Sequence, residues 1–247
     1  MATKRWPLPK RLQKKAKRAA DIPAPLIQRR IGIVLWLTLL ALPPAAPAAE
    51  IVGTVTTKKG APVPDAIIYA APASGTLPAP GALDKAIIDQ FDKMYFPFVS
   101  AIRTGTEVSF PNRDDIKHHL YSVSPAKTFE RSLYSGNEAE PLVFDKIGEV
   151  TLGCNIHDWM IAHVLVLDTP YSAVTDETGV ATIPGLPADA YDVKVWHPGM
   201  KGKLKAEAQR VSAADDRPAA LAFTVRLRPK YRWWRDKPFG PGAGRRY

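Results

Sequence analysis

Short alternating runs of β-branched and aromatic residues, broken every few positions by glycine or proline, leave this chain little to fold into except β-sheet. Among its 247 residues are 24 prolines and 16 glycines, and no long stretch carries the 3.6-residue apolar repeat of an amphipathic helix. Ile51-Val-Gly-Thr-Val-Thr-Thr alternates, Lys58-Lys-Gly60 turns, and residues 66–71 resume as a second strand. Residues 72–81, rich in Pro, Ala and Gly, form a linker, and residues 85–96 are expected to be a helical turn or irregular. Further strands are expected at 98–102, 107–110, 117–123, 149–152 and 161–168, then at 182–183, 191–196 and 219–227. The expected fold class is therefore all-β, built as β-sandwiches. The length suffices for one large domain or two modest ones with workable cores.

Charge is unevenly spread. Residues 1–48 carry ten Lys or Arg against Asp21 alone, and residues 226–247 carry eight against Asp236. Out of a formal net charge of +10, these ends account for +9 and +7, which leaves residues 49–225 at −6. A mildly acidic body speaks against a nucleic-acid-binding domain. The ordinary balance of 46% apolar and 23% charged residues excludes a disordered or polytopic membrane chain.

The basic start leads into Ile31-Gly-Ile-Val-Leu-Trp-Leu-Thr-Leu-Leu-Ala-Leu42 and then Pro43-Pro-Ala-Ala-Pro-Ala-Ala49. Twelve apolar positions followed by small residues read as a signal peptide over residues 1–48, cut after Ala48. The run is short of the roughly twenty residues that span a bilayer, so no stable membrane span is expected after cleavage. Arg29-Arg30 leaves a twin-arginine route open, and an uncleaved, tethered form is the alternative. The chain is thus expected in the periplasm.

An exported chain usually holds its cysteines in pairs, yet this one has a single cysteine, Cys154. Either Cys154 is a small buried hydrophobe or its sulfur has another partner. Its neighbours favour a partner. In Val150-Thr-Leu-Gly-Cys-Asn-Ile-His-Asp-Trp-Met160, the residues Cys154, His157 and Met160 bring a thiol, an imidazole and a thioether within seven positions. Such soft donors suit copper. Structural zinc sites use no thioether, and the Cys-x-x-Cys-His of haem attachment is absent. The spacing suits one loop: a strand ending at Cys154, a turn over residues 155–159, and a returning strand from Met160. A fourth donor is available upstream in Val108-Ser-Phe-Pro-Asn-Arg-Asp-Asp-Ile-Lys-His-His-Leu-Tyr-Ser-Val123. His118 or His119 supplies it, since strand alternation turns the two to opposite faces. Two His and one Cys with a weak axial Met are the ligands of a blue-copper electron-transfer site. His163 and His197 read as surface, inter-domain or structural residues, and Asp114-Asp115 as a solvated turn. No nucleophilic triad, phosphate loop or dinucleotide-binding glycine pattern is present, so the chain is not expected to be an enzyme.

With these residues the chain resembles the cupredoxins, the plastocyanin- and amicyanin-like blue copper proteins. Phe110-Pro-Asn112 through His118 is similar to their pattern of strand, Asn, four or five residues, then His. The resemblance covers residues 79–169 and implies a Greek-key sandwich holding one type 1 copper per chain. It assigns His118, Cys154 and His157 as equatorial ligands and Met160 as the axial one. Where cupredoxins often have Asn after the first His, this chain has His119, which removes the usual bracing between the two ligand segments. The implied function is single-electron carriage between redox proteins, with a quinoprotein dehydrogenase or a cytochrome c as expected partner and no nucleic acid. A copper-binding or metal-handling module without electron transfer is the alternative.

Ile51 through Ile68, and Ala173-Val-Thr-Asp-Glu-Thr-Gly179 through Trp196, are similar to a smaller carboxypeptidase-regulatory-like, prealbumin-type sandwich. Its first strands would occupy residues 49–78 and its remaining strands 170–227, with the copper-type unit inserted between them and a basic tail over 228–247. The rival arrangement gives residues 51–71 to the copper-type unit itself. The whole chain also resembles exported bacterial proteins of methylamine utilisation, through residues 152–160 and Trp196-His-Pro198.

Overall fold

The computed structural model describes residues 49–78, 84–136, 139–200, 208–214 and 217–228. The expected signal peptide over residues 1–48 and nearly all of the expected basic tail over 228–247 lie outside the described residues. The described residues hold no helix, and none is long and apolar enough to cross a membrane. In chain order the strands are β1 (Ala49–Thr57), β2 (Ile67–Pro72), β3 (Lys85–Ile87), β4 (Asp89–Phe91), β5 (Met94–Phe96) and β6 (Val99–Arg103). They continue with β7 (Thr106–Ser109), β8 (His118–Ser124), β9 (Lys127–Tyr134), β10 (Leu142–Phe144), β11 (Gly148–Cys154) and β12 (His157–Leu167). The last are β13 (Ser172–Val174), β14 (Val180–Leu186), β15 (Asp189–Trp196), β16 (Gln209–Ala213) and β17 (Ala219–Val225). The fold class is all-β. Residues 85–96, expected to be helical or irregular, instead form three short strands, of which β4 and β5 pair as a hairpin.

Two sandwiches result. One sheet runs β14-β1-β17 and faces another of order β13-β2-β15-β16. β1 alternates strictly, burying Ala49, Ile51, Gly53 and Val55. These pack with Ile68, Ile183, Tyr191, Val193 and Phe223 in a single core. Gly53 leaves room for Ile68, whose Cδ1 would have to move aside if this position carried a Cβ. β1 pairs with β14 and β17 and with no strand of the other sandwich. Two buried threonines fasten the early strands to the late ones: Thr175 Oγ1 accepts from the Ala66 amide and donates to Val63 O, and Thr169 Oγ1 donates to Ala70 O.

The strands between β2 and β13 build the second sandwich. A five-stranded sheet, β6-β12-β11-β8-β9, faces β10-β7-β3. Val108, Phe110, Leu120, Phe144, Leu152, Met160 and Val164 lie in the core between them. β12 is the longest strand at 11 residues, and its last four are buried on both faces. Val164 and Val166 point into this core, whereas Leu165 and Leu167 join Ile67, Val99 and Trp196 in a separate apolar cluster. The unbroken Val164-Leu-Val-Leu167 run is what a strand wet on neither side requires. β2 does the same from its own side, with Ile68 in the first core and Ile67 in the shared cluster. That cluster welds the two sandwiches.

Trp196 is 4% exposed at this junction. Trp196→Ala should cost about 3–5 kcal/mol, measured as a shift in urea or thermal unfolding. Next to it, buried His197 accepts the Gly199 amide at Nδ1 (2.9 Å). Burial, with nearby His163, pulls its pKa down to about 4. The unfolded chain therefore takes up the proton first. The stability that His197 contributes is complete above about pH 6.5 and falls as the pH drops toward 4, by at most about 3 kcal/mol. In His197→Asn, the stability-against-pH curve over that window should be flatter.

Candidate metal centre

Phe110 anchors the loop that precedes β8. Asn112, 4% exposed, donates from Nδ2 to Ile116 O (2.8 Å) and Tyr134 O (2.9 Å), and its Oδ1 accepts the Asp114 amide (3.0 Å). The loop is thereby held in one shape and delivers His118 to the start of β8. His118 is fully buried and His119 is not, as strand alternation demands. His119 instead meets Glu130 at 2.8 Å on the outer side.

The second segment is tighter than expected. The chain reverses over Asn155 and Ile156 alone, and β12 already begins at His157 rather than at Met160. A register shift at Gly153/Cys154 sets Cys154 directly opposite His157. Tyr121 packs so closely on this bend that a Cβ at Gly153 would stand 2.9 Å from its Cζ, which explains the glycine before the cysteine. Tyr95 secures the same point by donating from its hydroxyl to Gly153 O (3.1 Å).

His118, Cys154 and His157 thus converge, their donor atoms all within 4.8 Å of one another. Cys154 Sγ lies 4.0 Å from His118 Nδ1 and 3.8 Å from His157 Nδ1. Those separations are long for hydrogen bonds but fit a shared ion. Bonds of about 2.3 Å to sulfur and about 2.0 Å to nitrogen, spread ~120° apart, leave the donors about 3.7 Å from each other. Met160 is fully buried on β12 in the same core cluster as Cys154. Cys154 is 4% exposed, and of the three converging residues only His157 is partly open to solvent. Burial lowers the pKa of His157, and nearby His118 and Lys93 lower it further. Both effects favour the neutral ring that a metal ligand must present.

One residue here was misread from the sequence. Asp114, taken as part of a solvated turn, has a side chain only 10% exposed, with Oδ2 2.6 Å from His118 Nε2. Its oxygens also accept the amides of Asp92 (2.6 Å) and Lys93 (2.9 Å). Burial by itself would raise the pKa of Asp114, but the bonds from His118, Lys93 and Asp92 hold it below the ordinary value. An Asp four residues ahead of a candidate ligand was the available signal; the hairpin that folds over it was not visible. Asp115 is exposed, as expected. His163 is partly buried, 5.3 Å from the ring of Phe98, and takes no part in the cluster.

No protein-family model matches the chain, and no curated protein does. Among solved structures, it is similar to a purple cupredoxin from Nitrosopumilus maritimus at 24% identity and a TM-score of 0.30, over 34% of this chain and 100% of that one. It is similar also to amicyanin variants. A reduced Cu(I) form shows 20% identity and a TM-score of 0.31 over 40% of this chain and 99% of the other. An oxidised form shows 20% identity and 0.31 over 42% and 99%.

Proposed function

We propose that this chain is an exported, periplasmic type 1 copper protein that carries single electrons between redox proteins and is not itself an enzyme. The observation that carries this reading is the meeting of one thiol and two imidazole Nδ1 atoms at ion-sharing distances in a buried pocket. His118, Cys154 and His157 would hold the ion, with Met160 as a weak fourth donor. Bound copper supplies reversible one-electron chemistry to such a site, and soft sulfur donors favour it over harder ions.

The protein's own part is to keep these donors in one place. Cys154 and His157 are fixed by the two-residue turn and the strand pairing on either side of it. His118 is fixed by its loop and by Asp114. A rigid β-frame that imposes one arrangement in both oxidation states minimises the reorganisation that slows electron exchange. Burial of Cys154, His118 and Met160 keeps water away, whereas His157 reaches the surface beside Trp159, their ring centroids 5.3 Å apart. Electrons would enter and leave through His157. The apolar run and small residues at 31–49 support export. The partner would be a quinoprotein dehydrogenase or a cytochrome c, and the outer sandwich, of prealbumin type in this reading, would serve packing or docking.

Cupric salt added to reduced, metal-free protein should produce a visible thiolate charge-transfer band that Cys154→Ala abolishes; a colourless wild-type protein refutes the proposal. Met160→Gln should retain copper and lower its reduction potential, read by redox titration. An unchanged potential would remove Met160 from the site. Rapid electron exchange with a small redox dye separates a carrier from a copper-handling module.

A further inference from the structure

We infer that Asp114 is a positioning residue: its carboxylate sets which nitrogen of His118 faces Cys154 and ties the tip of the β4–β5 hairpin to that histidine. The inference rests on the copper reading for its consequence, but not for its geometry.

A neutral imidazole carries one proton, on either of two nitrogens, and whichever nitrogen has a strong acceptor keeps it. Asp114 Oδ2 lies 2.6 Å from His118 Nε2, the distance of a charge-assisted hydrogen bond. With the proton donated there, Nδ1 presents a lone pair, and Nδ1 is the atom that points to Cys154 Sγ. His118 is fully buried, so water cannot compete for its proton.

The same carboxylate has a second task. Asp92 and Lys93 form the two-residue turn between β4 and β5 with φ of 52° and 59°. Neither is glycine, and residues with a Cβ rarely hold this left-handed conformation without support. The turn is held by Asp114, which accepts the amide of Asp92 at Oδ1 and that of Lys93 at Oδ2. Arg113, one residue earlier, adds an ion pair to Asp89 at the foot of β4 (2.6 Å). Strand β5 of this hairpin packs against β12. One side chain therefore links the ligand from β8 to the hairpin that lies against the strand of His157.

Loss of the carboxylate has two expected effects. The imidazole is freed to tumble between tautomers, which weakens metal retention by on the order of 10- to 100-fold. A negative charge that favours the oxidised ion is also removed, so the reduction potential rises. The test uses the full chain. In metal-free, ¹⁵N-histidine-labelled wild type, His118 should appear as the Nε2–H tautomer with a slowly exchanging ring proton; the Nδ1–H tautomer or a fast-exchanging mixture overturns the inference without any variant. In Asp114→Asn that proton should lose its protection, Cu(II) should be surrendered to a chelator 10- to 100-fold more readily, and the potential should rise. Asp115→Asn, which removes the same charge from the exposed neighbour, should leave all three readings at wild type. Equal potentials in Asp114→Asn and wild type, or an equal rise in Asp115→Asn, overturn the inference. A wild-type protein that takes up no copper defeats the functional reading instead, while the tautomer measurement still decides the role of Asp114.

Discussion

The two-residue reversal at Asn155 and Ile156 is the constraint on which the site rests. A longer loop would leave the thiol of Cys154 and the ring of His157 free to drift apart; a two-residue turn makes them opposite partners across a single ladder. The strand that leaves this turn then performs a second duty. β12 starts at the surface with His157 and ends with four residues buried on both faces, wedged between the inner core and the cluster around Trp196. The position of the surface imidazole is therefore referred, through one continuous strand, to the packing of the whole molecule.

Alternation made much of this architecture legible. β1, β2, β8, the buried half of β12 and β15 each present an apolar face or a solid apolar run, and they appear where those patterns lie. Of the strands that went unseen, some lack such a face and others, β10 and β13 among them, are too short to show one. β9 is an outer strand whose Lys127, Glu130 and Arg131 leave no apolar stripe, and β16 is nearly as polar. β3, β4 and β5 have three residues each, too few to define any period. At the site, the convergence of Cys154, His157 and the upstream histidine was readable, because donor type and spacing survive in one dimension and strand alternation separates His118 from His119. The true width of the turn was not, because a register shift at Gly153 depends on Tyr121, distant in sequence. Asp114 was misread for the same reason: a carboxylate in a polar turn looks hydrated until a hairpin from elsewhere closes over it.

Burial and connectivity together explain why a lone cysteine is tolerable in this chain. Its strand is flanked by β8 and β12, and two imidazoles face its sulfur. Side chains around it are held by hydrogen bonds to backbone atoms, at Asn112, Tyr95 and Tyr134. Such contacts do not depend on the rotamers of exposed residues, so the pocket keeps its shape without relying on the surface.

The parallel pairing of β1 with β17 carries a consequence for the order of assembly. A chain emerging from its N-terminus displays β1 long before either neighbour of that strand has been made. The inner sandwich, by contrast, is complete as soon as β12 appears, donors included. Once it has formed, its two ends lie close together, since Tyr69 of β2 and Ser172 of β13 are direct partners. More than a hundred residues then behave as a short tether, and most of the loop-closure entropy is already spent. On this wiring the first sandwich would close last, beside a unit whose strands the chain has already made.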